Sequence, residues 1–284
     1  MQQPLTEQFI QERTYFKNVT PKTVDWYRQS FHAFDGAMDS RASIGDRIGK
    51  FRTAGVSAIS VNTYLRAVNA YFRWGHSEGH LPELIRIPKL NEEDKILATL
   101  TPEHVQRVIG FRPRDKYQQR IHVLACLLLD TGLRIDEALS LRRDNVDIDS
   151  LLLHVHGKGR KDRVVPMSGE MRKLLWRWFQ AQREADSGGL VFSTRDGRKL
   201  DRRNMLRHFK VLGTRLRITG VRFSFHTLRH TFAVNYIRNG GDVFRLQRVL
   251  GHSTLEMTRK YVNLQTSDLQ AVHERLSLLA RVGR

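Results

Sequence analysis

Four short segments carry the side chains that could act together on a phosphodiester: Arg134, Lys158, His226, Arg229, His252 and Tyr261. Exchanging such a bond without a metal needs a nucleophile that leaves a stable covalent link. It needs fixed positive charge on the non-bridging oxygens, and a proton donor for the departing alkoxide. Arginine suits the clamp, because its planar fork stays charged and grips phosphate bidentately. The segments read TGLRIDEALSL from Thr131, GKGRKDRVVP from Gly157, HTLRHTF from His226 and LGHSTLEMTRKY from Leu250 to Tyr261.

Each segment alone has an ordinary structural reading. Arg134 can cap or ion-pair a core helix, and Lys158 can be a solvated lysine at a hairpin tip. His226 and Arg229 lie one helical turn apart and can form a surface pair. His252 follows a glycine and can be a cap, and Tyr261 can be a core aromatic.

The elements that must position these groups are mostly helical. Leu5, Phe9, Ile10 and Phe16 recur near helical spacing. Thr20 and Pro21 read as an N-cap and first helical position, followed by Val24, Tyr27, Phe31 and Phe34 and a stop at Gly36. A short helix is expected over 43–54, and a longer one after Ser57 carrying Val61, Leu65, Val68, Tyr71 and Phe72. Prolines 82 and 88 resist a long helix, and a polar run follows. This places a helical domain at 1–86, a linker at 87–98 and a second domain at 99–284. In the latter, Thr101 and Pro102 open a helix, and 120–130 reads as a central core helix. Residues 150–156 and 162–167 form a hairpin whose tip is Gly157, Lys158 and Gly159. Helical patterns return over 170–184, 203–212, 227–238, 242–250, 255–261 and 267–280.

The formal net charge is +19, with 48 Lys and Arg against 29 Asp and Glu. Residues 1–88 hold a net of only +3, so the remainder holds +16. An excess spread over folded sequence points to a polyanion, nucleic acid first among them. The single cysteine, Cys126, sits in an apolar run as a small hydrophobe and permits no intrachain disulfide, which fits a reducing cytoplasm. No stretch is long and apolar enough to span a bilayer, so no membrane partner is expected, and the N-terminus lacks a signal peptide's order. His154 and His156 share a strand face, but no further ligand makes a metal site of them.

Taken together and in this order, the four segments resemble the tyrosine site-specific recombinases, the integrase family. TGLRxxE, GKGxKxR with V-P, HxLRHTFA, and LGH with a tyrosine nine positions on match that family's pattern at each usual catalytic position. The resemblance covers about 100–275, and the preceding helical domain fits in size. It implies a mainly α fold with a small antiparallel β-sheet: a helical N-terminal core-binding domain and an α+β catalytic domain. It implies that Tyr261 attacks the scissile phosphate to give a 3′-phosphotyrosine, while Arg134 and Arg229 hold the non-bridging oxygens. Lys158 would protonate the leaving 5′-oxygen, His226 would be the acid/base partner of the tyrosine proton, and His252 would add a donor. Glu137 would orient an arginine or histidine, while His230 carries a weaker case, packing inside its helix.

DNA contacts are expected from Arg160, Lys161 and Arg163 beside Lys158, from Arg202, Arg203, Arg207 and Lys210, and from Arg66 and Arg73 in the first domain. By the resemblance, no metal or nucleotide cofactor is needed. The partners are double-stranded DNA recombination sites, two duplexes held by a homotetramer with a dimer on each site, at the nucleoid in the cytoplasm. The reaction passes through a Holliday junction, in integration, excision or resolution, as for a mobile element. The stretch 264–280 is the candidate for docking a neighbouring subunit. Two other readings stand beside this one: a type IB topoisomerase, which would relax plasmids lacking any particular site, and a non-catalytic DNA-binding regulator on the same scaffold.

Overall fold

Serine, threonine and aspartate start nearly every helix. The structure, a computed structural model, describes residues 3–92, 98–157, 162–182 and 189–262. Its first helices are α1 (Gln3–Lys17), α2 (Pro21–Ala33), α3 (Arg41–Thr53) and α4 (Ala58–Ser77). Thr20, Ser40 and Ser57 each accept a hydrogen bond from the backbone N–H three residues on, satisfying a donor that the first turn leaves open.

The chain forms two compact units, Met1–Lys95 and Ile96–Arg284. In the first, α1, α2, α3 and α4 enclose Phe9, Phe31, Phe34, Ile44, Val61, Leu65, Tyr71 and Phe72. Phe9 is the hub, meeting Tyr27, Phe31, Tyr71 and Trp74 edge-on, the arrangement aromatic quadrupoles favour.

The segment expected to begin the linker belongs to this packing. Asn69 holds both backbone groups of Ile87, donating to its carbonyl at 3.0 Å and accepting its N–H at 2.9 Å. Asn62 does the same for Leu90, at 2.9 and 2.8 Å. Seven residues of helix rise about 10.5 Å, and three residues of extended chain cover about 10 Å. The two asparagines therefore match an extended strap running back along α4. Ile87, within that strap, turns its side chain into the core of this unit.

The second unit contains α5 (Pro102–Ile109), α6 (Lys116–Thr131), α7 (Ile135–Ser140) and a 3-10 turn at Arg143–Asn145. A sheet of β1 (Val146–Asp147), β2 (Leu152–His156) and β3 (Asp162–Pro166) follows. Then come α8 (Gly169–Ala181), α9 (Arg202–Arg215), α10 (Phe225–Arg238), α11 (Val243–Leu250) and α12 (Leu255–Val262). The sheet is antiparallel in the order β1-β2-β3, with Leu153 paired to both Val146 and Val165. The hairpin is as expected, and β1 adds a third strand too short to leave an alternating signature. α6 begins earlier than its apolar run, because Asp115 caps it and its first turn is polar.

α6 is buried from Ile121 to Leu128 and packs against α5, α8 and α10. Cys126 lies inside this wall, and burial pushes its thiol up to about 12, so it stays a protonated hydrophobe. No helix among the described residues is long and apolar enough to cross a membrane.

Gly132 ends α6 with φ +63° and turns the chain toward Arg134. A Cβ there would stand 2.8 Å from Leu250 Cδ2 and collide with Phe232. The left-handed backbone costs a non-glycine residue about 1–2 kcal/mol, and overpacking adds about 1–3 kcal/mol. Gly132→Ala is expected to lower the stability of the second unit by about 2–5 kcal/mol on those two counts. The midpoint of urea unfolding measures it, and an unchanged midpoint would show that the site relaxes freely.

Candidate active site

Three arginines converge on the last carbonyls of α11. Gly251 closes that helix in the left-handed conformation, φ +64°. The carbonyls exposed there have no partner within the helix and form its negative end. Arg134 donates to Leu250 O at 3.1 Å and to Gly251 O at 2.9 Å. Arg229 donates to Leu250 O at 2.9 Å and to Gly132 O at 2.6 Å. Arg163 donates through Nε to Val249 O at 2.8 Å.

Glu137 gathers two of these arginines. Its Oε1 accepts from Arg134 Nη1 at 3.0 Å and from Arg163 Nη1 at 2.9 Å. Its Oε2 accepts from Arg163 Nη2 and from the Arg134 backbone N–H, both at 2.8 Å. The second of those bonds also caps α7, so one carboxylate starts the helix and aims the arginine preceding it. Burial pushes the Glu137 carboxyl upward, but the bonds and charges of Arg163 and Arg134 outweigh it and hold it below its ordinary value.

Arg163 was expected on DNA. The structure places it elsewhere: its side chain is only 11% exposed and is forked onto Glu137. Its strand explains why, since inward positions alternate and Arg163 shares a face with buried Val165. That period-two pattern was the available signal.

Arg229 is 6% exposed, and burial, reinforced by Arg134, lowers it to about 10, so it is charged at neutral pH. Its Nη2 also donates to His252 Nε2 at 3.0 Å. An arginine only donates, so His252 carries its proton on Nδ1 and donates it in a hydrogen bond to Thr258 Oγ1 at 2.9 Å. Burial and the arginines push His252 down to about 4, so it is neutral and here accepts at the nitrogen facing Arg229. Thr258, fully buried three residues before Tyr261, is a site residue that motif reading missed.

Tyr261 is 3% exposed and packs with Ala233, Val234, Leu246 and Leu250. Its ring lies parallel to that of His252, centroids 6.3 Å apart. Burial raises its hydroxyl above the ordinary value, while Arg229 and Arg134 pull against that shift. The hydroxyl shares a hydrogen bond with His230 Nδ1 at 2.8 Å. His226, expected as its partner, is exposed one turn away with its ring 6.5 Å from that of His230.

The remaining expected residues fall into two groups. Arg202, Arg203, Arg207 and Lys210 lie exposed on α9, Arg202 pairing with Asp136 at 3.6 Å. In the first unit, Arg66 and Arg73 are exposed on α4 and line a groove of about 1000 Å³ bounded by 84–89. Lys158, Arg160 and Lys161 lie outside the described residues, as does 264–280.

The structure thus brings three arginines, His252 and the buried Tyr261 to one helix end, with a small antiparallel sheet in the same unit. The model of the phage integrase family matches residues 98–268. Tyrosine recombinase XerA of Thermococcus onnurineus is 31% identical over 92% of this chain and 91% of its own. Among solved structures, the XerH site-specific recombinase bound to a palindromic difH substrate superposes with a TM-score of 0.74 at 19% identity, covering 96% of this chain and 84% of that one. The Tn1549 transposon integrase in complex with circular intermediate DNA gives 0.79 at 20%, covering 96% and 99%. The chain belongs to the phage integrase family, and its activity is site-specific DNA recombination.

Proposed function

We propose that Tyr261 is the nucleophile of this recombinase, attacking the scissile phosphate of a DNA strand and displacing its 5′-hydroxyl. The observation that carries the reading is the convergence of Arg134, Arg229 and His252 at the end of α11, one short helix ahead of Tyr261. Arg134 and Arg229 hold the non-bridging oxygens, positioned before the charge develops. Glu137 and Arg163 keep Arg134 in place. His252 donates to the phosphate once its Nε2 is protonated, and a histidine of α10 serves the tyrosine proton, His226 being the one the motif names. Lys158 protonates the leaving oxygen. The 3′-phosphotyrosine conserves the phosphodiester energy, so rejoining needs no ATP, metal or cofactor. Double-stranded DNA is held through Arg202, Arg203, Arg207 and Lys210 on α9, through Arg160 and Lys161 beside Lys158, and through Arg66 and Arg73 in the helical first domain. A homotetramer on two duplexes, a dimer at each site, completes exchange through a Holliday junction. The stretch 264–280 docks a neighbouring subunit, and the protein works at the nucleoid.

Duplexes selected for binding from a random pool, then nicked near the centre, test this reading. Covalent protein–DNA product is expected in chelator, with the modified peptide containing Tyr261. Attachment through another residue, or a need for divalent ions in the cleavage step, would overturn it. Lys158→Ala is expected to slow cleavage about 100- to 10,000-fold. A 5′-bridging phosphorothiolate should restore most of that loss, because sulfur leaves without a proton. Equal impairment on both substrates would remove Lys158 from the general-acid role.

A further inference from the structure

The tyrosine hydroxyl meets a histidine, but not the one that the HxLR spacing names. His226 and His230 are one turn apart on α10, and both present imidazole to the same side. Only His230 reaches Tyr261, Nδ1 to hydroxyl at 2.8 Å, with ring centroids 5.7 Å apart. His226 is exposed at the surface; partial burial of its ring, then the charges of Arg202 and Arg229, disfavour its proton, with Asp136 pulling the other way.

We propose that His230 is a further catalytic residue of this chain: its Nδ1 takes the proton from Tyr261 as the hydroxyl attacks DNA, and returns it when the strand is rejoined. The inference rests on the reading of Tyr261 as the nucleophile. In the forward step the Tyr261 O–H bond breaks and its proton forms the His230 imidazolium. The phenolic oxygen bonds to phosphorus, and the bond from phosphorus to the 5′-oxygen breaks. The 5′-oxygen receives its own proton from the general acid. In the reverse step the imidazolium reprotonates the leaving phenolate. His226 is left free to serve the phosphate.

The surroundings fit a base rather than a fixed cation. His230 is partly buried, and the groups facing it are His226 and Arg229 on its own helix, Tyr261 and Lys260 on α12, and His252 between α11 and α12. None is acidic. Burial first, then His226, Arg229 and Lys260, hold the imidazole at about 4, so it is neutral at neutral pH and able to take a proton. A phosphate between Arg134 and Arg229 brings negative charge that offsets part of this field. The base therefore strengthens when the substrate is in place, closer to the operating pH at which proton transfer is efficient.

The test is single-turnover cleavage of a nicked duplex across pH by the full chain and by His230→Asn and His226→Asn. Asparagine keeps an acceptor near the Nδ1 position but cannot take the proton. Wild-type cleavage should rise with pH as His230 loses its proton, then level off. His230→Asn should cut the plateau rate at least about 100-fold, lose that rise, and become steeper toward high pH where the phenol ionises by itself. Its affinity for DNA and its thermal midpoint should stay within error of wild type. His226→Asn should keep the rise. Retention of the rise in His230→Asn, or its loss in His226→Asn alone, would overturn the proposal.

A second measurement does not depend on that variant folding. In histidine ¹⁵N spectra, Tyr261→Phe should move the Nδ1 resonance of His230 and leave that of His226 in place; the opposite pattern would also overturn it. Failure of the underlying reading is distinguishable, because wild-type protein would then carry DNA on a residue other than Tyr261.

Discussion

Tyr261→Phe is expected to bind its DNA site with wild-type affinity and to form no covalent adduct on a nicked duplex. The substitution removes one oxygen and leaves a ring of the same shape in the same apolar nest of Ala233, Val234, Leu246 and Leu250. The folded state loses one hydrogen bond, to His230, worth about 0.5–1.5 kcal/mol net. Phosphate contacts from the arginines remain, so affinity should not move. The chemical step, however, has no atom left to make the bond. Gel shift and denaturing electrophoresis on the same samples separate the two quantities. Adduct surviving at even a few per cent of wild type would place the nucleophile on another residue, and lost binding would mean that the hydroxyl organises the site rather than reacting in it.

Glu137→Gln is expected to damage both the fold and the reaction. The carboxylate is 6% exposed and neutralises Arg163, itself 11% exposed, while aiming Arg134. Removing one member of a buried ion pair leaves the other charge uncompensated, at about 3–5 kcal/mol. Misplacing Arg134 by about an ångström is worth roughly 100-fold in rate, so covalent adduct should form at least that much more slowly. pH gives an independent check. The Glu137 carboxyl lies lower in the folded protein than its ordinary value of 4.5. Its contribution is thus complete above that ordinary value and disappears as pH falls through the lower, folded value. Urea midpoints for wild type and Glu137→Gln should differ by a constant amount at neutral pH and approach each other in acid. A gap that stayed constant down to strongly acidic pH would mean that the carboxylate charge is not what stabilises the cluster.

Much of the second unit was readable because its signals are local. Thr101 announces a helix start by a side-chain cap, and the apolar run around Cys126 announces a helix buried on every side. The family pattern placed Arg134, Arg229, His252 and Tyr261 in one site, and the fold brings them to one helix end. What escaped was decided by how distant elements cross. His226 and His230 share a helix face, so spacing alone leaves either free to meet Tyr261. The seating of α12 against α10 selects His230. Arg163 reads as surface because Arg160 and Lys161 stand just before it, yet strand alternation turns it inward onto a carboxylate 26 residues earlier. Asn62 and Asn69 are unremarkable polar positions until an extended segment lies antiparallel to their helix and needs its backbone groups paired.

Val249, Leu250 and Gly251 present their carbonyl oxygens to Arg163, Arg134 and Arg229. For these cations the helix end does the work of a hydration shell. Liquid water would have to rotate as charge moved from the attacking oxygen onto the phosphate and then onto the leaving group. Peptide dipoles locked in a helix are already oriented and stay so throughout. The reorganisation that would dominate the barrier in solution has been completed during folding. It also lets three like charges stand close together at one helix end.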